Sequence, residues 1–163
     1  MRQRIKFVSS SVNSIFYDRF NLVGTSSLFE KVTHNICRVA STDSRVLIHG
    51  ETGTGKESAA QAIHYLSSRT DKPFIPVNCG AFSDELLLSE LFGHKKGAFT
   101  GALENRPGLI QSADGGTLFL DEVDTLSTRA QVALLRFLQE NEIRPIGSQK
   151  AISVDVRVVA ASN

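Results

Sequence analysis

The sequence predicts an α/β fold built on a mostly parallel sheet. Short apolar, β-branched runs recur along the chain, at Arg45–His49, Phe74–Asn78, Thr117–Glu122 and Val156–Asn163, and stretches of helical character separate them. That alternation is the pattern of a parallel sheet covered by helices. The second observation is local. The run Arg45–His49 enters a glycine-rich turn, Gly50-Glu51-Thr52-Gly53-Thr54-Gly55-Lys56-Glu57, and Ser58–Ser68 follows with no Gly or Pro.

Composition narrows the class. The chain has 163 residues, 41% of them hydrophobic and 21% charged, with a formal net charge of +1. Such a balance suits one soluble domain and carries no electrostatic footprint for direct DNA binding or for an acidic membrane surface. Cys37 and Cys79 lie far apart with neither metal spacing nor a disulfide framework, as expected of reduced thiols in a cytoplasmic protein. No apolar run approaches the ~20 residues of a membrane span. The basic start, Arg2, Arg4 and Lys6, lacks the long apolar stretch of a signal peptide. Residues 1–21 read as an arm or linker with apolar anchors at Ile15-Phe16-Tyr17 and Phe20, and residues 22–163 as the core domain.

The elements follow in order. Ser27 and Glu30 form a capping-box pair for a helix that places Leu28, Val32, Ile36, Val39 and Ala40 on one face. Thr42-Asp43-Ser44 turns into the first strand. Phe74–Asn78 is the second, with Pro76 pointing to an edge or a bulge. Ser83 caps a helix running through Leu91 and Phe92 that stops at Gly93. The stretch from Gly93 to Ala102 has neither the period of a strand nor that of a helix, and Phe99 is its one large apolar side chain. Composition leaves two accounts of it: a flexible surface loop, or a mobile loop that presents Phe99 to a partner. Asp114-Gly115-Gly116 turns into the apolar strand that ends in Asp121 and Glu122. Thr128 and Gln131 make a second capping box, for a helix to about Glu140 with Ala130, Leu134, Phe137 and Leu138 on one face. Ile143–Ile146 and Ile152–Val154 pair as a hairpin around Gly147-Ser148. In the last strand, Arg157-Val158-Val159 reads as core strand flanked by a surface charge.

Strand, glycine-rich turn and helix make the setting of a phosphate-binding loop, and Gly50 to Lys56 fits the spacing G-x-x-x-x-G-K. Glycines let the backbone approach an anion, the helix start aims free N–H groups at it, and Lys56 adds a point charge. A merely glycine-rich strand–helix turn is the plainer account. Glu57 stands where Ser or Thr usually meets Mg²⁺. In a parallel sheet ligands sit at the carboxyl ends of strands, so Asp121, Glu122 and Asn163 are expected on the edge that carries the loop. Asp121 can then hold Mg²⁺, Glu122 can polarise a water for attack on the γ phosphate, and Asn163 can hydrogen-bond that phosphate or the water. Hydrolysis of the bound nucleotide is the expected outcome, because no second acceptor site is visible, and adenine over guanine is taken by analogy alone, since no guanine-reading motif stands out. The scattered His34, His49, His64 and His94 argue against a histidine metal site, and Cys79 reads as a small core residue.

Four stretches together resemble the AAA+ domain of bacterial enhancer-binding proteins, the ATPase activators of sigma-54 RNA polymerase. They are Gly50–Glu57, Glu90-Leu91-Phe92-Gly93-His94 running into Gly97-Ala98-Phe99-Thr100-Gly101-Ala102, Gly115–Glu122, and Val156–Asn163. The resemblance covers about residues 22–163, and the hexapeptide Gly97–Ala102 is close to diagnostic. It implies a P-loop NTPase three-layer sandwich. It also implies ATP and Mg²⁺ as cofactors, a hexameric ring, and a loop in which Phe99 and Thr100 touch sigma-54, which favours the partner account of that loop. Asn78 resembles the family's switch residue, hydrogen-bonded to Glu122. Asn163 looks like the first sensor, and Leu22-Val23-Gly24 like the start of the adenine pocket. Glu57 is what the family carries after the lysine. Gly108-Leu109-Ile110-Gln111 departs from the family's Gly-Arg-Phe-Glu. The family's domain continues beyond Asn163 with a helical lid and trans-acting arginines. The alternatives are an AAA+ nucleotide-binding regulatory module that does not drive sigma-54, against which the intact hexapeptide speaks, and an unrelated P-loop kinase.

Overall fold

Four parallel strands set the architecture. The computed structural model describes Phe16 and residues 19–163; of the expected arm, the basic start at Arg2, Arg4 and Lys6 and the anchors Ile15 and Tyr17 lie outside the described residues. In chain order the elements are α1 (Ser27–Ala40), β1 (Val46–His49), α2 (Lys56–Tyr65), β2 (Phe74–Asn78), α3 (Asp84–Phe92), β3 (Gly93–His94), β4 (Arg106–Pro107), α4 (Leu109–Ser112), β5 (Thr117–Asp121), α5 (Thr128–Glu140), β6 (Glu142–Ile143), β7 (Ile152–Ser153) and β8 (Arg157–Ser162). The sheet runs β1-β8-β5-β2 with every pair parallel. β3 with β4 and β6 with β7 make small antiparallel ribbons. Pro76 sits in the edge strand β2, where a missing N–H costs no ladder bond on the open side.

Strand alternation splits the core into two layers. Leu118, Leu120 and Val158 face α3 and α5, where Leu87, Leu91, Leu134 and Phe137 close over them. Phe119, Val159 and Ala161 face the other way, onto Ile36 of α1 and Ala60 and Ile63 of α2. Each fully buried aliphatic or aromatic side chain contributes roughly 1.5–3 kcal/mol. The arm joins this second layer: Phe16 is 1% exposed, Phe20 is buried, and Phe20 stacks on Tyr65 at 6.2 Å. The packed unit therefore extends upstream of residue 22.

Several expectations shift. Ser26, not Ser27, caps α1, accepting from Phe29 N, and Ser127, not Thr128, caps α5, accepting from Ala130 N. In each case two neighbouring hydroxyl residues qualify by type, and the one with extended backbone takes the cap. α2 starts at Lys56, two positions ahead of Ser58, because Gly55 turns the loop directly into the helix. On α1 the buried stripe is Thr33, Ile36 and Ala40, while Leu28 is 70% exposed and Val32 is exposed. The helix turns Thr33, Ile36 and Ala40 inward and leaves Leu28 and Val32 to solvent. The hairpin is shorter than expected: Ile146 bridges His94 instead of Ile152. Arg157 is no surface charge. It is 2% exposed, because β8 is an interior strand, and its Nη2 donates to Val39 O at 2.7 Å.

Two outcomes are expected. Phe16→Ala should lower unfolding free energy by about 3–5 kcal/mol in urea denaturation. His64 is buried with Nδ1 2.9 Å from Thr117 Oγ1, and burial pushes its pKa below the ordinary imidazole value. The unfolded chain then takes up a proton that the folded chain resists. Stability should therefore fall as pH drops below about 6.5, and His64→Gln should flatten that fall in denaturation midpoints followed against pH.

Candidate nucleotide site

Register brings the predicted groups to one edge. Asn78 pairs with Asp121, Leu120 with Ala160, and His49 with Ser162. The residues that follow β1, β5 and β8 therefore emerge together. Gly50 leaves β1 with its N–H on Ser162 O at 3.3 Å. The loop doubles back through Gly53 at φ 81° and Gly55 at φ 87°, left-handed conformations that side-chain-bearing residues resist. Thr54 ties the turn by donating from Oγ1 to Glu51 O at 2.7 Å.

Lys56 opens α2, and its ammonium turns back under the loop. Nζ donates to Gly50 O at 2.7 Å, to Glu51 O at 3.2 Å and to Asn163 Oδ1 at 2.5 Å. Thr52 Oγ1 reaches the same Asn163 oxygen at 3.3 Å. The loop lysine and the residue after β8 are thus in direct contact. A cavity of about 310 Å³ opens there, lined by Thr52, Gly53, Gly55, Lys56, Glu57, Ser58 and Asp121. It combines a positive charge, a helix start and a carboxylate, which suits a phosphate chain carrying a hard cation. The oxygen donor at Asp121 is the ligand type that Mg²⁺ selects. Glu57 faces the cavity but lies 3.4 Å from Gln61 Nε2 along the helix. Ser58 was not singled out from the sequence; its hydroxyl lies one position after the usual place.

Asp121 Oδ1 accepts from Glu122 N at 2.9 Å. Glu122 itself lies at φ 55°, ψ 44°, a left-handed backbone in a non-glycine residue, which costs on the order of 1–3 kcal/mol and recurs at functional sites. Its carboxylate rests over Gly80: a Cβ there would stand 2.5 Å from Glu122 Oε2. Gly80 is thus the space that the carboxylate occupies. The expected hydrogen bond between Asn78 and Glu122 is not formed. Asn78 Oδ1 accepts from Gly80 N at 2.8 Å, because Asn78 caps the short turn Cys79–Ala81. Asp124, missed in the sequence although it is the third carboxylate in Asp121–Asp124, accepts from Asn163 N at 3.4 Å.

At the other end of the loop, Leu22 Cδ2 lies 3.1 Å from where a Gly55 Cβ would stand. Val23 beside it is exposed, and Gly24 packs on the Phe29 ring. The stretch Gly97–Ala102 is not part of the cavity. It forms the tip of the β3–β4 ribbon, closed by Gly97 N to Ala102 O at 2.9 Å and Lys96 N to Asn105 Oδ1 at 3.0 Å. Phe99 on that tip is 45% exposed. Among the described residues no helix is long and apolar enough to cross a membrane.

A parallel sheet whose strand ends converge on a glycine-rich loop, its lysine and an acidic strand end defines the P-loop NTPase class. The chain belongs to the sigma-54 interaction domain family, which matches residues 22–163. It is 50% identical to the transcriptional regulatory protein ZraR of Salmonella typhimurium over 89% of its length, and 53% identical to the hydrogenase transcriptional regulatory protein HoxA of Bradyrhizobium diazoefficiens over 99%. In both cases it spans 33% of the relative, so it corresponds to about a third of these proteins. Crystal structures of NtrX from Brucella abortus superpose with a TM-score of 0.79 at 39% identity, covering 86% of this chain and 31% of that one. Related structures of NtrX hold ADP and ATP. The P-loop NTPase domain of a sigma-54 transport activator from E. coli shares the fold, with a TM-score of 0.50 at 21% identity over 79% of this chain and 77% of that one.

Cys79 lies buried beside the acidic pair, and its thiol is pushed up to about 11 by burial first and by Asp121 and Glu122 next. At pH 8 a thiolate fraction of roughly one in a thousand is expected, against about a quarter for an ordinary thiol. Iodoacetamide labelling followed by peptide mass spectrometry should therefore modify Cys79 roughly two-hundred-fold more slowly in the folded chain than in urea.

Proposed function

We propose that this chain is the ATP-binding and ATP-hydrolysing core of a sigma-54-dependent transcriptional activator. Hydrolysis moves the Gly97–Ala102 loop and so remodels sigma-54 RNA polymerase. The observation that carries this reading is the meeting of Lys56 and Asp121 at one cavity, with Asn163 bonded to Lys56, in a chain whose exposed loop bears Phe99 and Thr100. Family membership and the nucleotide complexes of NtrX support it.

In this mechanism Thr52, Gly53, Thr54 and Gly55 present the loop backbone to the β and γ phosphates, and Lys56 exchanges its carbonyl and Asn163 partners for phosphate oxygens. Gly50 and Glu51 form the loop's entry, and Glu57 borders the cavity from the first turn of α2. Mg²⁺, when bound, neutralises charge on the phosphate oxygens, and Asp121 is the residue that would hold it. Glu122 takes a proton from the attacking water. Asn163, released from Lys56, is free to bond the γ phosphate or that water. Asn78, adjacent to the Glu122 carboxylate through Gly80, relays the change toward α3 and the loop it carries. Val23 and Gly24 border the base. Catalysis of this kind rests on positioning and electrostatics, because little covalent chemistry falls to the protein.

By resemblance to the family, a neighbouring subunit in a hexameric ring supplies arginines to the γ phosphate, an effect worth roughly 10³–10⁵ in rate. The isolated chain is accordingly expected to bind nucleotide weakly and to hydrolyse it slowly. Action on RNA polymerase places the protein in the cytoplasm.

Lys56→Ala should abolish ATP binding in calorimetry, and unchanged affinity would overturn the loop assignment. In the complete protein, Glu122→Gln should retain ATP binding and lose phosphate release by about 10²-fold or more, whereas retained turnover removes Glu122 from its role. Thr100→Ala in the complete protein should keep ATPase activity and lose sigma-54-dependent transcription. Transcription at the parental level would favour a nucleotide-binding regulator that does not drive sigma-54.

A further inference from the structure

We propose that His94 is a positioning residue for the partner loop: its imidazole is the seat on which Phe99 rests and holds the loop down until turnover lifts it. The proposal deepens the function above and takes from it the meaning of Phe99.

The loop tip has little else to hold it. Gly97 and Gly101 adopt φ 82° and 98°, and a Cβ on either would meet nothing within 4 Å. The hydrogen bonds of the tip are internal, Ala98 N to Lys95 O at 3.1 Å and Ala102 N to Phe99 O at 3.0 Å. They shape the turn without fastening it to the domain. Ala102 is buried and marks the near end, and Ala98 lies against Gly147. Beyond these, the large side chain of the tip forms a ring pair with the body: Phe99 stands edge-on to His94, with centroids 4.9 Å apart and planes at 65°.

His94, by contrast, is held from three sides. It pairs with Arg106 in the β3–β4 ribbon and bridges Ile146 of the segment after β6. Its Nδ1 lies 2.8 Å from Ser89 Oγ on α3. Lys95 N to Ile146 O and Ile146 N to Gly93 O, both at 2.9 Å, stitch that corner on either side of it. A rigid ring under a loosely held one sets where the loose one rests. Phe99 also borders a cavity of about 490 Å³ together with Leu86, Leu88, Ala98 and Ile146, so on that side the ring is not closed in by packed side chains. An edge-to-face pair changes the ratio of seated to lifted loop by about two- to twelve-fold. The contact is strong enough to bias the loop down and weak enough to break in every cycle.

The chain contains no tryptophan, so Phe99→Trp supplies a single tryptophan at the tip, which red-edge excitation selects over the two tyrosines. Acrylamide quenching of that tryptophan is measured in the 163-residue chain, with circular dichroism confirming the fold of each variant. Adding His94→Asn, which keeps a polar partner for Ser89 but removes the ring face, should raise the quenching constant about two-fold or more. Adding His94→Phe, which keeps the ring, should leave it near the Phe99→Trp value. Equal quenching in all three overturns the proposal. In the unsubstituted chain, proton NMR should show a cross-relaxation peak between the His94 and Phe99 rings, and its absence also overturns it. Neither measurement involves sigma-54. A chain that seats Phe99 but fails to act on the polymerase would sink the proposed function and leave the seat standing.

Discussion

The parallel pairing of β8 with both β1 and β5 is the constraint on which the rest depends. Parallel register puts the carboxyl ends of all three strands on one edge, and each continues into a part of the site: the phosphate loop after β1, Asp121 and Glu122 at the end of β5, Asn163 after β8. A slip of one residue would turn Val159 and Ala161 from the α1–α2 layer to the α3–α5 layer and carry Asn163 away from Lys56. The two apolar layers resist that slip, because each already holds the side chains whose faces the register selects. Packing energy, not any bond at the site, therefore sets the 2.5 Å contact between Lys56 and Asn163.

Around that edge the molecule stores local cost. Glu122 sits in a left-handed backbone, its carboxylate pressed over Gly80, while Asp121 holds the Glu122 amide and Asn78 holds the Gly80 amide. Asn78 and Asp121 are register partners across β2 and β5, which sets the acidic end beside the start of the segment leading to α3. α3 in turn carries Ser89, and through it His94 and the Phe99 loop. The cavity at Lys56 and the exposed Phe99 loop are separate places joined by one strand pair and one helix.

The opposite edge of the sheet is fastened differently. Arg69 donates to Asp43 and Asp155 and to the Gly116 and Asp155 carbonyls, tying the entries of β1, β5 and β8. Arg157 enters the interior beside it, and its pKa is lowered, by burial first. Charge at that edge ties the strand starts together.

The strands, the phosphate loop, the acidic strand end and the exposed Phe99 were legible in the chain alone. Each is written in local chemistry: β-branched runs, glycines at fixed offsets before a lysine, carboxylates after an apolar stretch. Choices between chemically equal neighbours were not. Ser26 against Ser27, and Ser127 against Thr128, depended on where the backbone leaves the helix. The solvent-facing Leu28 and Val32 and the buried Arg157 depended on which face a neighbouring element covered. The place of Phe16 in the core, the replacement of an Asn78–Glu122 bond by Asn78–Gly80, and the seating of Phe99 on His94 all arise between residues distant in the chain or turned by a backbone angle. The sequence by itself determined the phosphate loop, its lysine and the acidic strand end, but not Ser58 beside the cavity or Asp124 on Asn163. Only the tertiary structure decided which of them touch, because contact depends on register and layer packing, and no single segment encodes either.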